Sequence, residues 1–192
     1  LFRNCQSNSN TLVPLRNDPA LLKARLNGLR DAGATDSMTG LFWGWMSISP
    51  NWQGLWSGVP ATMPKAYATP YNYKAVILMT DGLNNLVAPA YNPIPAGTFP
   101  DNNIPPHIIA NANYINNRSV LLCAALKAQG VKVYTVGFDL NSLLPPDRTR
   151  VENYLKGCAS STANYFPAPT GASLISVFSA IASDLASLRI SY

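Results

Sequence analysis

The stretch that most constrains the fold runs from Lys74 to Gly82 and reads Lys-Ala-Val-Ile-Leu-Met-Thr-Asp-Gly. Five consecutive apolar residues between turn-forming residues are typical of a strand covered on both faces, as in a parallel sheet flanked by helices. Asp81 follows this strand directly. In open α/β sheets, ligands bind beyond the carboxyl ends of the strands, where a carboxylate can hold a hard cation. A polar Thr-Asp-Gly turn without a ligand is the simpler alternative.

The rest of the chain alternates helices with strands. Apolar residues recur at helical spacing between capping and stop signals, and they predict helices over residues 18–31, 38–48, 118–129, 147–156 and 172–188. Strands rich in apolar, β-branched and aromatic residues are predicted near 74–80, 131–137 and 163–166. This alternation indicates an α/β fold with a parallel sheet and right-handed crossovers.

A second segment, Gly33–Gly40 (Gly-Ala-Thr-Asp-Ser-Met-Thr-Gly), precedes an aromatic-rich helix. Together with Thr80-Asp81-Gly82 it resembles the von Willebrand factor A (vWA) domain, and most closely that of the TadG-like pilus-assembly proteins. Other segments that resemble this family are Leu41–Pro50, Leu122–Phe138, Leu155–Ser160, Tyr165-Phe166 and Val177–Leu185. The resemblance covers roughly residues 12–50 and 74–192. It implies a Rossmann-like, three-layer vWA fold.

The resemblance also implies a metal site that this chain holds in part. A complete vWA site combines an Asp-x-Ser-x-Ser loop with a threonine from a second loop and an aspartate from a third. Thr35 matches the second loop and Asp81 the third, but no Asp-x-Ser-x-Ser occurs in the 192 residues. We therefore expect residues 1–192 to be one partial vWA domain, the C-terminal half, without its first strands. Mg²⁺ or another divalent cation is the implied cofactor, and its full ligand set needs the upstream loop.

By the same resemblance, the expected function is recognition of another protein. In a vWA site the cation keeps an open coordination position, which a carboxylate of the partner completes. A TadG-like parent would hold the module at the periplasmic face of the bacterial inner membrane or elsewhere in the cell envelope, tethered by an N-terminal segment. Pilus or cell-envelope proteins are the expected partners.

A metal-dependent, hydrolase-like α/β enzyme that uses Asp81 is the alternative. Asp139 follows the strand at 131–137 and lies at the same end of the sheet, so the two carboxylates are a candidate pair for a catalytic Mg²⁺. A structural turn is the simpler role for Asp139. His107, the single histidine, is far in sequence from any cysteine that it would activate. The sequence has no glycine-rich phosphate loop and no helix with metal ligands at i and i+4, so we expect a protein that is not an enzyme.

Composition narrows the partners further. Charged residues make up only 12% of the chain, and its net charge of +5 is scattered rather than arranged in a run that would follow phosphates. Nucleic acid is therefore not expected as a partner. No stretch approaches the roughly 20 apolar residues that span a bilayer. The longest candidate, around residues 120–138, is interrupted by Lys127, Gln129 and Lys132.

Cys123 and Cys158 lie within segments that resemble the family, on or next to predicted helices. A disulfide between them is our first expectation, and it suits an oxidising compartment. Three buried free thiols are the alternative. Cys5 is left over in either case, and a cysteine upstream of the chain is its candidate partner.

Two further segments carry expectations about surfaces. Residues 83–117 are rich in Pro and Asn and are predicted to form a loop insertion, either an extension of the binding face or a plain surface loop. Residues 51–73 are rich in Trp, Tyr and Pro, and we expect them to pack onto the domain more than to anchor a partner. Without the first strands, an apolar sheet edge should be exposed, which predicts a poorly soluble or dimeric chain.

Overall fold

The computed structural model describes residues 11–30, 35–84 and 104–187, with side chains in the third helix from residue 112 onward. In chain order the helices and strands are α1 (Pro19–Asn27), α2 (Ser37–Ile48), β1 (Ala75–Thr80), α3 (Ile104–Ala128), β2 (Lys132–Phe138), α4 (Pro145–Cys158), β3 (Tyr165–Ala168) and α5 (Gly171–Ser187). Among these described helices, none has the length and apolar content needed to cross a membrane.

The three strands form one parallel sheet in the order β1-β2-β3. β1 pairs with β2 in a register that puts Ala75 opposite Lys132 and Thr80 opposite Gly137. All three strands therefore end on the same side of the sheet, which we call the carboxyl edge. The prediction of an α/β fold with a helix-flanked parallel sheet is confirmed, and this arrangement is compatible with a Rossmann-like fold.

Helices cover the two faces of the sheet unequally. On the first face α2, α3 and α4 pack against the sheet, and their shared core contains Leu41, Ile48, Leu78, Leu126, Val133 and Leu155. On the second face α5 packs on β2 and β3, where its Val177 and Ile181 share a core with Tyr134 and Val136. The apolar stripe predicted for this last helix is therefore the side that faces the sheet.

The second face is uncovered over β1. Ile77 is 38% exposed and Met79 is 48% exposed. Their partners across the ladder, Tyr134 and Val136, are fully buried. β1 also forms one edge of the described sheet. An apolar strand is thus exposed at this edge, as the sequence predicts.

A disulfide joins α3 to α4 on the first face. Cys123 and Cys158 are bonded, their Cα atoms are 5.1 Å apart, and both residues are fully buried. The predicted bridge is present, so the alternative of three free thiols is wrong. Cys5 lies outside the described residues.

The helix α3 differs most from its prediction. It begins at Ile104 and not at Arg118, so residues 104–117 are helical although the sequence predicts a loop there. Pro105 and Pro106 lie in the first turn, where a backbone N–H has no intrahelical partner and proline is tolerated. His107 therefore lies in a helix and not in a loop. The remainder of the predicted insertion, from residue 85 to 103, is outside the described residues.

The helix α1 begins as predicted but ends early, at Asn27. Asp18 is its N-cap, since its Oδ1 accepts a hydrogen bond from the backbone N–H of Leu21 at 3.0 Å. Pro19 occupies the first helical position, where its missing N–H costs nothing. None of the nine residues of α1 is buried. Its leucines, including Leu26 at 66% exposure, thus lie at the surface.

Candidate metal and partner site at the carboxyl edge

The carboxyl edge gathers the loops that carry the two predicted metal ligands. Thr35 precedes α2 by two residues, and Asp81 follows β1 directly. The backbone N–H of Ser37 donates to Oδ1 of Asn84 at 2.8 Å. This buried hydrogen bond joins the first residue of α2 to the loop after β1. The structure therefore brings the Thr35 and Asp81 loops to the same edge of the sheet.

Asn84 is the central residue of this connection. While its Oδ1 accepts from Ser37, its Nδ2 donates to Oδ1 of Asn116 on α3 at 2.6 Å. Asn84 is 3% exposed and Asn116 is 5% exposed. Buried amides are costly unless they are hydrogen-bonded, and here the side-chain N–H of Asn84 is paired with the side-chain carbonyl of Asn116. The loop after Asp81 is thus fixed to both α2 and α3.

Tyr154 extends the same network to α4. Its hydroxyl donates to Oγ of Ser37 at 2.8 Å, in a buried position. Burial raises the pKa of Tyr154 to about 12 and the negative charge of Asp36 adds to this, while hydrogen bonds with Ser37 and Ser119 act in the opposite direction. At neutral pH the phenol is therefore protonated, and it serves as a hydrogen-bond donor that holds the start of α2.

Asp36 is occupied by the capping of α2. Its Oδ1 accepts from the backbone N–H of Thr39 at 3.1 Å, and its Oδ2 accepts from the Thr39 hydroxyl at 2.6 Å. A carboxylate at a helix N-terminus is stabilised by the unpaired N–H groups and by the helix dipole. The loop that presents the half-buried Thr35 is thus anchored at its C-terminal side.

Asp81 is exposed at the end of β1. The preceding residue, Thr80, is buried and forms a tight local turn: its Oγ1 donates to the carbonyl of Gly82 at 3.1 Å and accepts from the N–H of the same residue at 3.3 Å. A threonine hydroxyl that closes its own turn fixes the backbone around the next residue. The turn therefore presents the Asp81 carboxylate to solvent.

A second exposed carboxylate, Asp139, lies at the same edge. β2 ends at Phe138, and Thr80 of β1 is opposite Gly137 in the ladder, so Asp81 and Asp139 follow paired strands. Asp139 has a left-handed backbone with φ of 46°, a conformation that aspartate tolerates better than most residues. Its N–H donates to the carbonyl of Ala168 in β3 at 2.9 Å. Asp139 therefore has a structural role in the turn as well as an exposed carboxylate.

The oxygen donors of this edge match the preferences of a hard divalent cation. Mg²⁺ is usually held by one or two carboxylates while it keeps several waters, and hydroxyl oxygens can complete its shell. Asp81 and Asp139 offer the carboxylates and Thr35 offers a hydroxyl. Within residues 11–30, 35–84 and 104–187, no three His, Cys, Asp or Glu side chains group as a metal centre. A site built from Thr35 and Asp81 stays a prediction.

The buried network of Ser37, Asn84, Asn116 and Tyr154 is what the sequence analysis missed. Asn84 reads as an ordinary turn residue after a strand, and Asn116 reads as part of an Asn-rich loop. Their pairing joins residues 32 positions apart and depends on α3 reaching back beyond Arg118. One local signal was present, because an asparagine within an apolar helix is unfavourable unless its amide finds a partner.

Comparison of the chain with protein-family models, with curated proteins and with solved structures finds no match.

Proposed function

We propose that this chain is a non-enzymatic, vWA-type protein-binding module of a Tad-type pilus-assembly protein. The module acts in the cell envelope, on the periplasmic side of the bacterial inner membrane, and binds pilus or envelope proteins. The observation that carries the proposal is the buried hydrogen bond between Ser37 and Asn84, which holds the Thr35 and Asp81 loops at one edge. The motif residues that resemble the vWA family add their support, as does the helix-flanked parallel sheet.

In this proposal Thr35 and Asp81 contribute the hydroxyl and the carboxylate of a partial metal-dependent adhesion site. The remaining protein ligands come from an Asp-x-Ser-x-Ser loop elsewhere in the full-length protein. A bound Mg²⁺ would supply a positive charge with an open position for a carboxylate of the partner. The protein itself therefore contributes position and specificity and breaks no bond.

The buried network explains how such a site would be kept in shape without its partner. Asn84 and Tyr154 hold the start of α2 through polar atoms that are shielded from water. Outer residues that orient metal ligands are often nearly as important as the ligands themselves. A loop that is already ordered loses less conformational entropy on binding, so more of the contact energy appears as affinity.

Asp139 is the observation that supports the second candidate function, a metal-dependent hydrolase. It places another exposed carboxylate beside Asp81 at the end of a paired strand. Two carboxylates around one Mg²⁺ are a common arrangement for hydrolysis. A binding module needs Asp81 and tolerates loss of Asp139, whereas the hydrolase needs both.

The test uses the full-length protein and three variants. Mg²⁺ binding is measured by calorimetry, and binding of purified pilus subunits to the immobilised protein is measured in Mg²⁺ and in EDTA. Asp81→Asn should abolish the Mg²⁺-dependent binding. Glu152→Gln is the matched control because Glu152 lies in α4 and pairs with Lys156 at 3.0 Å, and this variant should bind normally.

Equal pilus-subunit binding by wild type and Asp81→Asn would leave only a scaffold role for the domain. Mg²⁺-dependent hydrolysis of a model ester that is lost in both Asp81→Asn and Asp139→Asn would favour the enzyme instead. Preserved Mg²⁺-dependent binding in Asp139→Asn, with no hydrolysis in the wild type, is the result expected of a binding module.

A further inference from the structure

Residues 37–64 form a long segment without a single Asp, Glu, Lys, Arg or His. The segment includes all four tryptophans of a chain whose overall charged fraction is 12%. It begins with α2 and continues into the 3-10 turn Pro50–Trp52 and the loop that follows. Trp45 faces inward, where its Nε1 donates to the hydroxyl of Tyr67 at 2.7 Å. Of the other three tryptophans, Trp43 is exposed, and Trp52 and Trp56 are half-buried.

These three tryptophans form a continuous aromatic surface with Phe42. Neighbouring rings make edge-to-face contacts at 5.6 Å (Phe42 with Trp43) and 5.7 Å (Trp43 with Trp52), and Trp52 stacks on Trp56 at 5.0 Å. Phe42 is 41% exposed, Trp43 is 39% exposed, and the adjacent Leu55 is 69% exposed. We call these five residues, Phe42, Trp43, Trp52, Leu55 and Trp56, the aromatic platform. Within residues 51–73, which were expected to pack onto the domain, Tyr67 contacts Trp45 of α2 and Trp52 and Trp56 are half-buried, whereas Leu55 is exposed.

The turn that carries the platform is held in a defined shape. The side-chain amide of Gln53 donates to the carbonyls of Thr62 and Pro64 at 2.9 and 3.1 Å. The N–H of Gly54 donates to the carbonyl of Met63 at 3.4 Å, and Gly54 itself has a φ of 76° that suits glycine. The exposed Leu55 side chain therefore projects from a turn whose backbone is fixed by these hydrogen bonds.

The platform lies at the end of the sheet opposite to the candidate metal site. The ammonium group of Lys74, at the start of β1, donates to the carbonyl of Ile48, the last residue of α2. Ser37, the first residue of α2, meets the loop after the end of β1. α2 thus runs antiparallel to β1, and the turn at 50–52 follows it at the amino end of the strands. The two surfaces are independent parts of the molecule.

Basic residues border the platform. The guanidinium group of Arg16 donates to the carbonyl of Ser57 at 2.8 Å and to that of Gly58, which ties the segment before α1 to the platform loop. Lys65 ends the uncharged stretch and directly follows Pro64, whose carbonyl accepts a hydrogen bond from Gln53 of the platform turn. The one acidic side chain described between residues 11 and 30 is Asp18, which caps α1.

We propose that the aromatic platform is a membrane-surface site, which inserts Leu55 and the tryptophan rings into the interfacial region of a bilayer that contains anionic lipids. Trp is the side chain best suited to that region because its apolar ring carries one polar N–H. An uncharged insertion surface avoids the cost of dehydrating ions. The basic border complements anionic headgroups. Binding of this kind takes place at the membrane surface and needs no helix that crosses the bilayer.

A neutral carbohydrate is a poorer occupant for the same rings. Sugar binding needs several polar side chains with free hydrogen-bonding capacity around the aromatic face, and the Gln53 amide is already engaged with two backbone carbonyls. A second copy of the chain is the other occupant that exposed Leu and Trp side chains could attract. Self-association is therefore measured alongside vesicle binding.

The test is co-sedimentation of the 192-residue chain with vesicles of phosphatidylcholine alone or mixed with phosphatidylglycerol. The wild type should sediment with the anionic vesicles, and its tryptophan fluorescence should shift to the blue and be quenched by brominated lipid. Leu55→Ser should weaken vesicle binding about tenfold, since one apolar side chain no longer inserts. Lys65→Gln should weaken it about fivefold, and added salt should also weaken it.

Leu144→Ser is the matched control. Leu144 is 72% exposed but lies before α4 at the carboxyl edge, so this variant should bind vesicles as the wild type does. Circular dichroism checks that each variant is folded. Equal sedimentation of the wild type and Leu55→Ser, or a fluorescence spectrum that anionic vesicles leave unchanged, would overturn the membrane site. So would light scattering that shows a dimer converted to monomer by Leu55→Ser in a chain that ignores vesicles.

Discussion

Replacing Cys123 and Cys158 together by alanine is expected to lower the free energy of unfolding by at least about 4 kcal/mol. The two cysteines are 35 residues apart in sequence, and a cross-link that closes a loop of this length removes that much conformational entropy from the unfolded chain. For a chain of this size each 1 kcal/mol corresponds to about 2–4 °C in the midpoint of thermal unfolding. The double variant should therefore unfold at least about 8–16 °C below the wild type.

Chemical denaturation with and without dithiothreitol measures this effect and separates its causes. Both sulfur atoms are buried between α3 and α4, so the double alanine variant also loses packing volume. The reduced wild type loses the cross-link but keeps that volume. We expect the free energy of unfolding of the reduced wild type to lie between those of the oxidised wild type and the double variant. It should be nearer to that of the variant because the cross-link contributes more than the packing volume. The double variant still contains Cys5, so its own response to dithiothreitol measures any effect that does not come from the Cys123–Cys158 bridge.

Two results would refute this reasoning. If reductant leaves the unfolding of the wild type unchanged, the cysteines are not cross-linked in the protein or the bridge does not constrain its unfolded state. If the double variant lies within about 1 kcal/mol of the oxidised wild type, loop closure is not what stabilises this part of the fold.

Three further outcomes test other parts of the structure. Asn84→Ala leaves two buried polar partners unsatisfied and should cost about 2–4 kcal/mol in urea denaturation, whereas Asn17→Ala, on the exposed surface, should change little. Because burial raises the pKa of Tyr154 from 10 to about 12, the folded state holds a proton that the unfolded state has lost, so stability should fall between pH 10 and pH 12. Tyr154→Phe should reduce that fall, and an equal slope in both proteins would contradict the assignment. Met79→Lys places a charge on the uncovered strand and should convert the expected dimer or aggregate to monomer in light scattering.

The sheet could be predicted from sequence because its strands carry strong local signals. Residues 75–79 are an apolar run between turn-forming residues, and residues 131–136 are rich in β-branched and aromatic residues, so both predict strands. Gly130 was predicted to end α3, and its φ of 75° with a hydrogen bond from Val131 N–H to the Leu126 carbonyl at 3.1 Å shows why glycine suits that position. Each of these features depends only on residues that are close to it in the sequence.

The features that escaped prediction depend on distant parts of the chain. Residues 104–117 combine two prolines with several asparagines, which disfavour a helix by local propensity, yet they form the first half of α3. Packing between α3 and α2 and the pairing of Asn116 with Asn84 provide the missing stabilisation. Likewise, nothing in the local sequence predicts that Trp52 and Trp56 stack on each other while Trp45 hydrogen-bonds to Tyr67. The positions of these residues depend on tertiary packing between elements that are distant in the sequence.

The antiparallel course of α2 and β1 has a mechanical consequence. α2 has 12 residues and is therefore about 18 Å long, and its ends lie beside the two proposed binding surfaces. When a partner is held at the carboxyl edge and a bilayer at the platform, tension between them runs along the strands. The load is then carried by α2 and by the backbone of β1, which both connect the two ends of the sheet. A domain built in this way is stiff along the line that connects its attachments.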